Sequence, residues 1–245
     1  MELLAPIPWP RKNVFCVGRN YVDHVAEGAR AMGTATKLPE VPQFFTKAPT
    51  AVNAPGAPVR LDNGLTKLLD YEVELAVIIG KAGKHFDEHE AAEYIAGYTI
   101  FNDITARDIQ RREMRSGVFS FCKAIDTFCP LGPWIVTPDE VGDARDLHMQ
   151  LRVNGELRQE SHSGNMSVTI PEIIAHYSAL GYSRGDVLST GTVSGVAGFS
   201  ENAAELYLRP GDKIECEIEK IGTLANPVIS WQDGHGVPAP PRHRW

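Results

Sequence analysis

The segment over residues 71–80, YEVELAVIIG, constrains the fold more than any other part of the sequence. It is rich in aliphatic and β-branched residues and ends at a glycine, which is the pattern of a β-strand. Its unbroken apolar run covers only residues 75–79, far below the ~18 to 20 residues that a membrane-spanning helix needs. The segment therefore predicts a strand in a chain that does not cross a membrane.

Strand patterns outnumber helix patterns in the rest of the chain. Further strands are predicted over residues 14–18, 43–46, 97–104, 149–153, 156–160, 187–190, 213–219 and 223–230. Helices are predicted over residues 20–31, 88–94, 105–115 and 169–180. Asn154 and Gly155 separate two of the strands and are typical of a tight hairpin, because both residues tolerate positive φ. The predicted fold class is mixed and mainly β (α+β), a mostly antiparallel sheet or barrel-like roll with a few helices.

Proline content suggests how the chain is divided. Residues 39–58 contain five prolines, which break any helix there, and we interpret this stretch as a linker. It would separate a small N-terminal segment, residues 1–50, from a main domain over residues 51–232. The last thirteen residues, 233–245, contain three prolines without periodicity and are predicted to form a loose tail.

Charge and cysteine content exclude several classes of function. Acidic side chains outnumber basic ones by 31 to 24, a formal net charge of −7. Phosphate binding needs clustered Lys and Arg, and no such cluster occurs, so we expect neither a nucleic-acid nor a membrane partner. The four cysteines have no C-x-x-C spacing, which argues against a zinc site or a disulfide framework. The first ten residues contain three prolines and an early acid rather than a signal-peptide pattern, so we expect a cytoplasmic location.

Glu72 and Glu74 are the first candidates for chemistry. Residues two apart on a strand project to the same face, roughly 6.5 to 7 Å apart. On a buried face the two carboxylates would repel each other unless a cation lay between them, whereas on an exposed edge both would be solvated. Asp103 ends another apolar strand, either as a helix cap or as a third carboxylate of the group. Three carboxylates without His or Cys favour a hard divalent cation, Mg²⁺ or Mn²⁺.

Seven segments together resemble the fumarylacetoacetate hydrolase family. In the family's order they are GRNYVDHVAEG (18–28), FFTKAPTAV (44–52), DYEVELAVIIGK (70–81), GYTIFNDITARDIQ (97–110), FCKAIDTFCPLGPWIV (121–136), RVNGELRQ (152–159) and STGTVSGVAG (189–198). The resemblance implies a β-sandwich or β-roll with a helical N-terminal lid, assembled as a homodimer. It also implies one Mg²⁺ or Mn²⁺ per subunit and a small anionic 2-oxo acid as substrate.

The resemblance makes Glu72, Glu74 and Asp103 the metal ligands. It makes Lys123 a positive charge beside the bound substrate, where the alternative is an ordinary surface lysine. A 2-oxo carboxylate can chelate a divalent ion, which then stabilises the enolate that forms when a neighbouring bond breaks.

His24 and Glu27 lie three residues apart, on one face of the predicted helix. The resemblance makes them a general base and the residue that orients it, and the alternative is a pair on a helix surface. The resemblance also implies six residues that bind substrate. They are Arg19, Tyr21, Lys47, Arg107, Gln110 and Thr192.

The main hypothesis is a metal-dependent hydrolase that cleaves a C–C bond of acylpyruvates to give pyruvate and a carboxylic acid. His24 and Glu27 would activate the attacking water. The alternative is a decarboxylase of oxaloacetate-like acids or an isomerase of 2-hydroxyhepta-2,4-diene-1,7-dioate-like intermediates of aromatic catabolism, neither of which needs an attacking water. A catalytically silent carboxylate-binding homologue is a third possibility.

Overall fold

The structure, a computed structural model, describes residues 3–41 and 43–235, and within them the chain forms two large sheets and a small one. The seven-stranded sheet contains, in spatial order, β2 (Gln43–Lys47), β1 (Val14–Gly18), β12 (Val187–Thr192), β6 (Val73–Ile79), β7 (Ile95–Asn102), β9 (Cys129–Val136) and β3 (Val52–Asn53). The five-stranded sheet contains β11 (Glu156–His162), β10 (His148–Val153), β13 (Lys213–Ile218), β14 (Gly222–Ser230) and β4 (Val59–Leu61). In the small sheet, β5 (Leu69–Asp70) pairs with β8 (Thr105–Ala106). Most neighbouring strands are antiparallel, which confirms the predicted mixed, mainly β fold.

Helical elements are short and lie around the sheets. The α-helices are α1 (Val22–Met32), α2 (Arg107–Glu113), α3 (Pro138–Val141), α4 (Ile170–His176), α5 (Ala203–Leu206) and α6 (Trp231–His235). Turns of 3₁₀ helix cover Pro49–Ala51, Ala91–Tyr94, Met114–Ser116, Phe121–Lys123, Ser163–Asn165, Tyr177–Leu180 and Ala197–Phe199. The helix predicted over residues 88–94 is therefore only a 3₁₀ turn. Among the described residues, no helix has the length and apolar character needed to span a membrane.

Strand β6 lies at the centre of the large sheet and has both faces covered. Leu75 and Val77 point into the main core, and Ala76 and Ile78 point into a second apolar cluster on the other face. Burial on both faces explains why the segment is almost continuously apolar. Glu74 shares the face of Ala76, so the pleat places a carboxylate inside the protein, where it is 1% exposed.

The N-terminal residues do not form a separate segment. Strand β1 pairs in parallel with β12, with Phe15 opposite Leu188, and β2 continues the same sheet. The boundary predicted at residue 50 therefore separates no sheets, because the pairing partner of β1 is more than 170 residues away in the sequence. The predicted tail is wrong for residues 233–235, which belong to α6, and its remainder lies outside the described residues.

Turn residues and prolines account for one hairpin that was predicted and one strand that was missed. The β10–β11 hairpin forms as predicted, with positive φ at both Asn154 (53°) and Gly155 (83°). Strand β9 was not predicted, because Pro130 and Pro133 lack the N–H that a regular ladder requires. Pro133 lies where the β7–β9 register is irregular, and Pro130 lies opposite Asn53 of the two-residue strand β3.

Candidate active site

Three carboxylates meet where β6 begins and β7 ends. Val73 pairs with Asn102, so Glu72 lies beside Asp103, whose N–H donates to the Glu72 carbonyl at 2.9 Å. Glu74 follows one pleat further along. All three residues are buried, and one ligand oxygen from each lies within 4.8 Å of the others. The pleat and the strand pairing, acting together, bring the three predicted ligands into one group.

Two buried lysines bind this group from different sides. Lys123 Nζ donates to Glu72 Oε2 at 2.9 Å, to Asp103 Oδ2 at 2.5 Å and to the Thr105 hydroxyl at 2.8 Å. Lys47 Nζ donates to Asp103 Oδ1 at 2.5 Å. Lys123 is 2% exposed, so the surface alternative for this residue is wrong.

Arg107, at the start of α2, links Glu72 to a further acid that the sequence analysis missed. Its Nε donates to Asp70 Oδ2 at 2.7 Å and its second guanidinium nitrogen donates to Glu72 Oε1 at 2.5 Å. Asp70 also accepts the N–H groups of Ala197 and Gly198 at 3.0 and 2.8 Å. The sequence contained a signal for Asp70. Side chains two residues apart on a strand share a face, and this pattern, which selected Glu72 and Glu74, also includes residue 70.

The charges divide the carboxylates into two kinds. Burial alone would raise the pKa of Glu72, but Lys123 and Arg107 lower it to about 2. The pKa of Glu74 is raised by burial and by the charges of Asp103 and Glu72, and its hydrogen bond comes from the neutral Ser189 hydroxyl. Burial lowers the pKa of Lys123, but Asp103 and Glu72 raise it well above its ordinary value. Glu74 is therefore the acid whose negative charge is least compensated.

This arrangement fits a divalent metal ion. Four buried acids, Asp70, Glu72, Glu74 and Asp103, face the three cations Lys47, Arg107 and Lys123. The donor set is all oxygen, which suits Mg²⁺ or Mn²⁺. A divalent ion between Glu72, Glu74 and Asp103 would compensate the Glu74 charge and leave the site slightly positive, matched to an anionic ligand.

His24 and Glu27 lie on α1 and face the same region. His24 Nδ1 is 3.5 Å from Glu27 Oε2, an ion-pair distance, and the His24 ring lies 5.4 Å from the Phe199 ring. Glu27 Oε1 accepts the Gly195 N–H at 3.0 Å. Both residues are largely buried, so the alternative of a solvated helix-surface pair does not describe them.

A cavity of about 490 Å³ joins these groups. Of the residues predicted from the sequence, its walls include Arg19, His24, Glu72, Glu74, Arg107, Gln110, Lys123 and Thr192. Gln110 accepts a hydrogen bond from Arg107 at 3.0 Å, and Thr192 accepts one from Gln159 at 3.0 Å. Two of the candidate metal ligands, Glu72 and Glu74, therefore open onto the same volume as the buried Lys123 and the His24 imidazole, whereas Asp103 is not among its lining residues.

Two predicted substrate contacts do not line this cavity. Tyr21 is fully buried, with its hydroxyl 3.5 Å from both Met149 Sδ and Thr190 Oγ1. Lys47 lies behind Asp103, and its Nζ is used on that carboxylate and on the Ile104 carbonyl. Both side chains support the site from behind, because their polar atoms already bond to neighbouring parts of the protein.

Comparison of the sequence with known protein families finds a match over most of the chain. Residues 13–229 match the family model described as fumarylacetoacetate (FAA) hydrolase C-terminal. The fold is β-rich, and its buried acidic group offers the oxygen donors that could bind a divalent metal ion. The chain belongs to the fumarylacetoacetate hydrolase family.

Named relatives within the family include tautomerases and isomerases. The oxaloacetate tautomerase YisK of Bacillus subtilis is 44% identical over 230 residues, which cover 93% of this chain and 73% of that protein. The human mitochondrial oxaloacetate tautomerase FAHD2B is 40% identical, covering 94% and 70%. The crystal structure of 2-hydroxyhepta-2,4-diene-1,7-dioate isomerase from Mycobacterium marinum superposes with a TM-score of 0.76 at 35% identity, covering 93% and 78%. These names agree with the isomerase alternative more than with the hydrolase hypothesis.

Proposed function

We propose that this protein is a metal-dependent tautomerase or isomerase of a small 2-oxo acid of the oxaloacetate type. The observation that carries the proposal is a cavity lined by Glu72, Glu74 and Lys123 together with His24. Similarity to the two named oxaloacetate tautomerases and to the M. marinum isomerase supports it.

Glu72, Glu74 and Asp103 would hold the divalent ion, which when bound polarises the keto and carboxylate oxygens of a 2-oxo acid. Lys123 places a buried positive charge beside the same oxygens and favours the enolate over the ketone, because charge is strongly felt in a water-poor site. Arg107 is held by Asp70 and Glu72 and presents the rest of its guanidinium to the cavity. The chain thus binds the carboxylate end and stabilises negative charge on the keto oxygen.

His24 would carry the proton. In the keto-to-enol direction it accepts the proton from C3, the C3–H electron pair becomes the C2=C3 double bond, and the C2 oxygen takes up a proton. The product has the same atoms as the substrate, so no water is consumed. Because Nδ1 lies beside Glu27, Nε2 is the nitrogen left to exchange the proton.

Hydrolysis of acylpyruvates is the second candidate, favoured by the same His24–Glu27 pair. A base next to a cavity of about 490 Å³ could deprotonate a water as well as a carbon acid, and the volume accommodates a distal acyl group. The two functions share the carboxylate end and differ in whether water attacks the distal carbonyl.

The test measures the rate at which the keto and enol forms of oxaloacetate reach equilibrium in the presence of enzyme and Mn²⁺. The ultraviolet absorbance of the enol reports this rate. We expect faster equilibration without loss of oxaloacetate, and a large rate loss in His24→Ala and Lys123→Met. A parallel panel of acylpyruvates is analysed for pyruvate. Pyruvate with a free acid, without enol equilibration, would overturn the tautomerase proposal in favour of the hydrolase.

A further inference from the structure

Asp23, the residue before His24, ties helix α1 to two other elements. Its Oδ2 accepts the Ser161 hydroxyl at 2.6 Å and the Ser194 hydroxyl at 3.1 Å. Ser161 lies on β11, and Ser194 lies in the loop after β12. Asp23 Oδ1 accepts the N–H of His24 itself at 2.9 Å. One carboxylate therefore connects the backbone of His24 to a strand and to a loop.

The serine partners are themselves fixed. The Ser161 hydroxyl accepts a hydrogen bond from Asn165 at 3.1 Å, which leaves its proton for Asp23. Ser194 is followed by Gly195, whose φ of +101° and close approach to the Arg158 carbonyl leave no room for a side chain. A Cβ at residue 195 would lie only 2.1 Å from that oxygen. The loop that receives Asp23 thus has a conformation set by contact with β11.

The same loop holds the helix on the other side of His24. Ser194 bonds to Asp23, and the next residue, Gly195, donates its N–H to Glu27. Asp23 precedes His24 and Glu27 follows it by less than one turn. His24 is therefore held between two anchors that end on neighbouring residues of one loop, and the cavity-facing ring inherits their position.

We propose that Asp23 is a positioning residue for the reaction, acting through His24. The inference rests on the proposed function, because it needs His24 to transfer the proton. A purely structural acid in the first turn of α1 would stabilise the helix through its dipole, and its loss would not depend on the ring at position 24. A positioning residue affects turnover only while that ring is present.

The test is a double-mutant cycle on the Mn²⁺-loaded full-length protein with oxaloacetate, comparing Asp23→Ala, His24→Ala and both changes together. Single-turnover assays with enzyme in excess keep slow variants measurable. We expect kcat to fall by about 10- to 100-fold in Asp23→Ala, since ångström-scale misplacement has effects of this size, with KM little changed. In the His24→Ala background, Asp23→Ala should cause no further loss of kcat.

Controls separate folding from positioning. Asp143, like Asp23, accepts hydrogen bonds from a backbone N–H and from a side chain, but it lies in a loop away from the cavity. Asp143→Ala should therefore leave kcat unchanged. If Asp23→Ala does not fold, the double variant Ser161→Ala with Ser194→Ala takes its place in the test. This variant leaves Asp23 in place, removes its two hydroxyl donors and should show the same loss of kcat. Affinity for oxalate, which probes the carboxylate end alone, should be unchanged in both.

An unchanged kcat in Asp23→Ala, or an equal loss with and without His24, would overturn the positioning role. Full activity of His24→Ala would instead overturn the proton-transfer role of His24, and with it the proposed function. The two failures are read from different variants, so they are distinguishable.

Discussion

Replacement of Glu74 by Gln should make the metal-free protein more stable while removing its response to metal. Glu74 is 1% exposed, and its oxygens lie within 4.8 Å of oxygens from Glu72 and Asp103. At this distance each like-charged pair costs about 3.5 kcal/mol at an effective dielectric constant of ~20. Glutamine keeps the shape and can still accept the Ser189 hydroxyl, but carries no charge.

The net gain is smaller than the sum of the two repulsions. Lys123 attracts Glu74, and proton uptake on Glu74, whose pKa is raised, relieves part of the repulsion. Replacement of a buried ion pair by neutral groups of similar volume is often neutral or stabilising by about 1 to 4 kcal/mol, and the hydrogen bond to Glu74 comes from a neutral hydroxyl rather than from a cation. We therefore expect Glu74→Gln to raise the free energy of unfolding by about 1 to 3 kcal/mol in EDTA at mildly alkaline pH.

Urea unfolding in EDTA and in saturating Mn²⁺ measures both effects. The wild-type protein should gain about 2.7 kcal/mol at an ion concentration 100 times the Kd, and Glu74→Gln should gain much less. The stability advantage of Glu74→Gln over wild type should thus shrink to near zero or reverse when metal is added. Glu93→Gln, an exposed acid paired with Lys81, is the control and should change neither value appreciably. A Glu74→Gln protein less stable than wild type in EDTA would refute the argument from buried repulsion.

Three further predictions concern the same charges. Lys123→Met should lower stability by about 3 to 5 kcal/mol in EDTA, because buried acids lose their cation, whereas Lys81→Met, from an exposed ion pair, should leave thermal unfolding almost unchanged. The folded-state pKa of Glu72, about 2 against an ordinary 4.5, contributes about 3 kcal/mol that is complete above pH 4.5 and is lost as the pH falls toward 2. The stability difference between wild type and Glu72→Gln should shrink over that range, and a constant difference would contradict the assignment. Glu113 accepts the N–H groups of residues 120–122, so Glu113→Ala should speed amide exchange there, measured by mass spectrometry, and no change would argue against this clamp.

Local patterns predicted the parts of the fold that local chemistry controls. The period of two placed Glu72 and Glu74 on one face, and the positive-φ turn at Asn154 and Gly155 set the hairpin register. The parallel pairing of β1 with β12 was not predictable in this way, because it joins residues far apart in sequence. The residue-50 boundary was predicted from prolines, which mark a break in helix and carry no information on such long-range pairing.

The site was predictable to the same extent. A shared strand face and the family resemblance selected the candidate metal ligands, but the sequence could not tell a lysine that lines the cavity from one that lies behind a carboxylate. Lys47 and Lys123 both bind Asp103, and only Lys123 also lines the cavity. The difference depends on which side of the carboxylate each lysine approaches, which no spacing rule encodes.

The tautomerase and hydrolase hypotheses differ in the group from which His24 takes a proton, either a carbon of the substrate or a water molecule. Both reactions build negative charge on the keto oxygen, so Glu72, Glu74, Asp103 and Lys123 serve either one. His24 can take a proton from a carbon held against the carboxylate end or from a water held further out. Because Asp23 and Glu27 fix His24 to the loop at Ser194 and Gly195, the position of the imidazole is set by the protein body and not by the distal half of the substrate. A base fixed in this way suits removal of a proton from C3, which lies next to the C2 carbonyl in oxaloacetate and in acylpyruvates.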